Sequence, residues 1–181
     1  MKIETLEPKH FLELESSKTI DVDILLWESE TTLSIENINI DKSDSNIEEK
    51  LSLYIKLLRY SVEWLNTNKE TIVQAIIDDG NVDLANDWVG NVIYGQEPLI
   101  ENGKTFYMFD DIKIEFPITE EAFSKSLVFE GTSLYCYMDF DEILYDVFIN
   151  TNPDYFAYHS IEVFFTFDKN GACKKVNGLA G

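Results

Sequence analysis

The chain has 181 residues, 45% hydrophobic and 13% aromatic, with 34 acidic side chains against 14 basic ones and a formal net charge of −20. Length and apolar content suit a single domain over 1–181 with a substantial core, and exclude a disordered acidic tail. The charge argues against direct binding to nucleic acid or an anionic membrane, and favours a basic protein partner captured fastest at low salt.

The first elements read as strands. Phe11 to Glu15 is a short one. In Thr19 to Trp27, Ile20, Val22, Ile24 and Leu26 alternate with Asp21, Asp23 and Leu25, which predicts a strand with one wet face. Glu28-Ser29-Glu30 predicts a turn, and Thr31 to Ile40 a further strand with a phase slip near Glu36-Asn37 that suggests a bulge. These pieces make an N-terminal antiparallel meander.

The period then changes. Ser45-Asn46-Ile47-Glu48 fits a capping box, with Asp44 beside the positive helix end. Ile47, Leu51, Tyr54, Ile55, Leu58, Val62 and Leu65 then form the apolar stripe of a helix over roughly 46–66. Thr67-x-x-Glu70 offers a second capping box, for a helix through Ile72, Ile76 and Ile77 that Gly80 closes. A short third helix over Val82 to Trp88 ends at Gly90, and Tyr94 to Lys104 reads as loop. Thr105 to Phe116 is strand, turned at Asp110-Asp111, and Thr119 opens a helix to Lys125. Ser126 to Glu130 and Ser133 to Asp139 read as strands joined at Gly131, followed by Phe140 to Ile149. His159 to Phe167 and Ala172 to Asn177 close the chain as a hairpin about Asn170-Gly171. The fold class is α+β: the meander, a central helical pair, and a C-terminal antiparallel sheet with one short helix.

The motif census is sparse. No phosphate-binding Gly-rich loop, His-Glu-x-x-His, Cys-x-x-Cys or Gly-x-Ser-x-Gly is present, so neither a metal nor another cofactor is expected. Asp139-Phe140-Asp141 starts like a calcium loop, but the required ligands do not follow. Cys136 and Cys173 suggest no disulfide framework, the N-terminus lacks the apolar core of a signal peptide, and no run approaches membrane-spanning length. A reducing cytoplasm is the expected compartment.

Two surfaces could carry function. His159 is the natural candidate for proton chemistry, with Asp154, Glu162 or Cys136 as partners, in a small hydrolase-like enzyme; the plainer alternative is a histidine that fixes the entry to a strand. Asp78, Asp79, Asp83 and Asp87 recur along the second and third helices beside Trp88, an acidic patch with an aromatic anchor suited to a basic protein. Its plainer alternative is a solvated helix face. Tyr155, Phe156 and Tyr158 could add to such a recognition surface.

The C-terminal residues carry a resemblance. Asn152-Pro153-Asp154-Tyr155-Phe156, His159-Ser160-Ile161-Glu162-Val163, Asp168-Lys169-Asn170-Gly171 and Leu179-Ala180-Gly181, with the helix from Ile118 to Phe123, resemble the ends of uncharacterised bacterial domain families. The chain departs from that pattern at Ala157-Tyr158, where small residues are expected. Small acidic members of this kind are similar to immunity proteins of polymorphic-toxin systems. The resemblance implies a cytoplasmic, non-enzymatic protein that binds and neutralises a basic toxin. An acidic nucleic-acid mimic is a further alternative.

Overall fold

Alternation with period two holds in the first strand: β1 (Thr19–Leu26) buries Ile20, Val22, Ile24 and Leu26 and exposes the residues between them. The computed structural model describes residues 1–14, 19–36, 40–138 and 142–180, with backbone alone at 130–138 and 174–180. After β1 the chain reverses at Trp27 and Glu28, both at positive φ (49° and 69°). That pair twists the strands as a two-residue hairpin requires. Ser29 and Glu30 therefore belong not to a turn but to β2 (Ser29–Glu36). The bulge expected at Asn37 lies outside the described residues.

The expected meander is a single hairpin, and it does not stand apart from the C-terminal strands. β2 pairs in parallel with β6 (Leu127–Met138), which continues antiparallel through β7 (Glu142–Thr151), β8 (Ile161–Asp168) and β9 (Cys173–Ala180). One six-stranded sheet results, in the order β1-β2-β6-β7-β8-β9. A parallel pair needs a long crossover, and here it holds four helices and a three-stranded sheet of β3 (Leu99–Glu101), β4 (Lys104–Phe109) and β5 (Ile112–Glu115). β3 lies inside the expected loop. The two strands expected over Ser126 to Asp139 are one strand from Leu127 to Met138, with Ser126 ending the helix before it, Asp139 outside the described residues, and a register shift between Val128 and Ser133 where Gly131 falls.

Helix α2 (Ile47–Thr67) buries the predicted stripe and adds Ser61 to it. The Ser61 hydroxyl donates to the Leu58 carbonyl at 2.9 Å and meets the fully buried Tyr145 hydroxyl of β7 at 2.6 Å. Trp64 packs edge-on against Phe167, 5.3 Å between centroids. Where a strand is expected to begin at Phe11, Phe11 and Leu12 instead end helix α1 (Pro8–Leu12), and Glu15 lies outside the described residues. Pro8 sits at its first position, and Glu7 and His10 cap each other, the Glu7 N–H donating to His10 Nδ1 at 2.9 Å. Local capping outweighs the short apolar run, and Phe11 packs edge-on against Tyr54 at 5.9 Å. Arg59 donates to the carbonyls of Ile3, Glu4 and Leu6 and ties this segment to α2.

Neither central capping box forms. The N-cap of α2 is Asn46; Asp44 instead accepts from the Asn46 N–H at 2.9 Å and from Lys50 at 2.6 Å. Thr67 ends α2 with its hydroxyl donating back to the Glu63 and Trp64 carbonyls, a competing bond open to threonine at a helix end. α3 (Lys69–Asp78) follows directly, then α4 (Asn81–Ile93), and later α5 (Glu120–Ser126), where Thr119 does cap by accepting from the Ala122 N–H. Gly80, at φ 87°, joins α3 to α4. Gly90 does not end α4, which runs on to Ile93. The Asp110-Asp111 turn forms as expected, with both residues at positive φ. Among the described residues no helix is long and apolar enough to cross a membrane.

Lys50 first, and then the Asn46 N–H, hold the Asp44 carboxyl below the ordinary carboxylate range. A depressed folded value means that this contribution is complete above the ordinary pKa of about 3.9 and is lost as pH falls through the lower folded value. The Asn46 amide resonance is therefore expected to move in acid below about pH 4, and to lose that transition in Asp44→Asn. An unchanged acid titration in the variant would assign it to Asp41 instead, whose carboxylate holds Ser43.

Candidate functional site

The acidic residues of the central helices are brought onto one corner by a buried amide. Asn81, 2% exposed, donates to the Ile76 carbonyl at 2.9 Å and fixes the angle between α3 and α4. Asn86 then pins α4 to the chain ahead of α5, donating to the Ile118 carbonyl (3.0 Å) and accepting from the Ile118 N–H (2.7 Å). On that scaffold Asp78, Asp79, Asp83 and Asp87 are all exposed. Asp83 and Asp87 sit one turn apart on α4, so their carboxylates share a face. Asp78 accepts from Gln74 at 2.8 Å, and none of the four is in an ion pair among the described residues. The reason is visible in the composition: from Glu70 to Gly103 there are seven acidic residues and no lysine or arginine. A count of charge along the chain finds that signal, which helix periodicity does not.

Trp88 is half-buried and faces a loop, not open solvent. Its ring meets Phe156 at 6.0 Å and His159 at 5.6 Å, both edge-on. The loop from Asn152 to Ser160 is held by its own polar groups. Thr151 Oγ1 accepts from the Tyr155 N–H at 3.0 Å, and the Asp154 carboxylate accepts from the N–H groups of Phe156 (3.3 Å) and Tyr158 (2.7 Å). Ala157 and Tyr158 both take left-handed backbone, φ 50° and 72°. Residues with a Cβ rarely do so, and each such position costs of order 1–3 kcal/mol. This is where the sequence departs from its resemblance, and the consequence is geometric: Tyr158 stands 98% exposed beside an exposed His159. Tyr155 and Phe156, read with Tyr158 as one surface, are instead core, and burial pushes the Tyr155 hydroxyl pKa up.

The groups proposed for proton chemistry are distributed differently. His159 precedes β8 instead of opening it, and its N–H donates to the Phe156 carbonyl at 3.1 Å. Asp154 is engaged by the two backbone donors, and no hydrogen bond joins the His159 imidazole to a carboxylate among the described residues. Cys136 is level with Tyr145 on β7, and Tyr145 with Phe165 on β8. Phe165 lies four residues into β8 from Ile161, about 13 Å of strand at ~3.3 Å per residue, and His159 lies beyond that end of the strand. Asp139 and Asp141 lie outside the described residues. Among the described residues no group of three His, Cys, Asp or Glu is placed to hold a metal ion.

A bacterial family described as "Uncharacterized protein conserved in bacteria (DUF2262)" matches residues 17–176. The chain belongs to the DUF2262 family. Searches of curated proteins and of solved structures each gave no match. The match to DUF2262 runs from before β1 into the first half of β9, so it takes in β1 to β8, the α3–α4 corner and the Tyr158 loop.

Proposed function

We propose that this DUF2262 chain is a non-enzymatic protein-binding module whose acidic corner docks a basic protein, in the manner of a cytoplasmic immunity protein neutralising a toxin. The observation that carries the reading is the set of exposed carboxylates Asp78, Asp79, Asp83 and Asp87, none in an ion pair among the described residues, with a 98% exposed Tyr158 on the loop that Trp88 packs against. Un-neutralised carboxylates speed and steer encounter with a cationic surface, while a rigid exposed aromatic supplies the desolvated contact that slows dissociation. Two positions in left-handed backbone support that division, because strain of this kind persists where a side chain must be presented.

The test is a pairwise binding measurement against the product of each neighbouring gene. Asp79→Lys/Asp83→Lys/Asp87→Lys should slow association about tenfold or more at low salt, with the difference shrinking as salt rises. Tyr158→Ala should leave association nearly unchanged and speed dissociation about tenfold or more. An association rate indifferent to both salt and the triple substitution would remove the acidic corner from the interface.

A further inference from the structure

A second surface of opposite character lies at the other end of β8. The exposed side of α2 carries Leu53, Leu57 and Tyr60, four and then three residues apart, so one helical stripe runs outward from the covered Trp64. Leu53 is 58% exposed and Tyr60 49%. The turn after β8 forms the facing wall, and between them runs an open groove of about 530 Å³. Its shape is set by Gly171, at φ 80°, whose absent side chain would meet Tyr60 Cε1 at 2.7 Å. The Asp168 carboxylate accepts from the N–H groups of Asn170 and Ala172, which holds that turn in place.

The rim is cationic. Lys56 and Lys169 border the groove, and neither forms an ion pair or hydrogen bond among the described residues. Lys50 stands at the rim too, shared with Asp44 at 2.6 Å. In a chain with 34 acids and 14 bases, two unpaired lysines beside an exposed leucine–tyrosine stripe are out of keeping with simple solubility. The groove complements an apolar surface edged with negative charge. The stripe from Lys50 to Tyr60 spans about 15 Å at ~1.5 Å per residue, the length of three helical turns.

We propose that this groove binds an acidic amphipathic helix of another protein. Apolar side chains at i, i+4 and i+7 of the incoming helix would lie along Leu53, Leu57 and Tyr60, and flanking carboxylates would meet Lys56 and Lys169. β8 has eight residues, about 26 Å of strand, between this groove and the Tyr158 loop, so the site is separate from the acidic corner. The inference does not depend on a basic partner binding there.

The probe is a fluorescein-labelled, helix-stapled peptide of three turns with leucines at i, i+4 and i+7 and glutamates on both flanks. Fluorescence anisotropy should show saturable binding, and amide shifts in the isotope-labelled chain should move at Leu53, Lys56, Tyr60, Lys169 and Gly171. Lys56→Glu/Lys169→Glu, both surface changes, should weaken binding about tenfold or more, as should exchanging the glutamates of the probe for glutamine. No saturable binding, shifts confined to other residues, or equal affinity in the double variant would each overturn the proposal. Dodecanoate moving these resonances while the peptide does not would assign the groove to lipid anions and also overturn it.

Discussion

Phe123→Ala is expected to lower stability by about 3–5 kcal/mol and to loosen the Trp88–His159 corner in the same step. Phe123 is fully buried on α5 and stacks with Tyr155 at 6.4 Å and 16° between planes, while meeting Phe156 edge-on at 6.3 Å. Phe156 in turn supports Trp88, and Trp88 supports His159. Truncation removes the hydrophobic transfer of a whole ring and leaves a cavity under the loop, so both terms act together. For a chain of this length the loss corresponds to roughly 6–20 °C in melting temperature. Phe123→Leu, which keeps most of the volume, should cost only about 1–2 kcal/mol. The linked readout is the NMR spectrum of Tyr158 and His159 well below the transition. Movement of those resonances in Phe123→Ala is expected; a destabilised variant whose loop spectrum is unchanged would show that Thr151 and Asp154 hold the loop without the aromatic stack.

Trp27→Ala should be of similar size, about 3–5 kcal/mol, for a different reason. Trp27 is 8% exposed in the β1–β2 turn, with its ring edge-on to Phe129 of β6 at 4.6 Å. Its indole N–H donates to the Leu65 carbonyl at 2.8 Å, and its backbone N–H donates to Asn66 Oδ1 at 2.7 Å. One side chain thus joins the N-terminal hairpin, the end of α2 and the start of β6. Trp27→Phe separates the contributions, retaining a ring against Phe129 while leaving the Leu65 carbonyl without that donor, at about 1–2 kcal/mol. Urea denaturation should show a lower midpoint with an unchanged slope for both variants. A shallower slope in Trp27→Ala would mean that the hairpin detaches separately from the rest of the sheet.

The candidate surfaces were legible to different degrees. Asp83 and Asp87 could be placed on an exposed helix face from spacing alone, because they fall between the apolar positions of α4 and one turn apart, while Asp78 and Asp79 mark the end of the helix before it. Trp88 reads from sequence as the aromatic anchor of the acidic patch, and sequence says nothing of what its ring touches. Its contact with Phe156 and His159, residues about seventy positions away, comes from tertiary packing. Tyr158 differs from Tyr155 and Phe156 in nothing that periodicity detects. What separates them is the left-handed backbone at Ala157 and Tyr158, held by the Asp154 carboxylate.

By itself the sequence determined the α+β class, the α2 stripe, the β1 alternation, the Asp110-Asp111 turn and the Thr119 cap. Each depends on local periodicity, backbone preference or a side chain reaching its own neighbours, and such information lies within a few residues. The tertiary structure alone decided that β2 lies parallel beside β6, making one sheet of what reads as two. A pairing between residues about a hundred positions apart leaves no local trace. It is set by which apolar faces the crossover can bury together, and that same crossover carries the acidic corner and brings Trp88 to the Tyr158 loop.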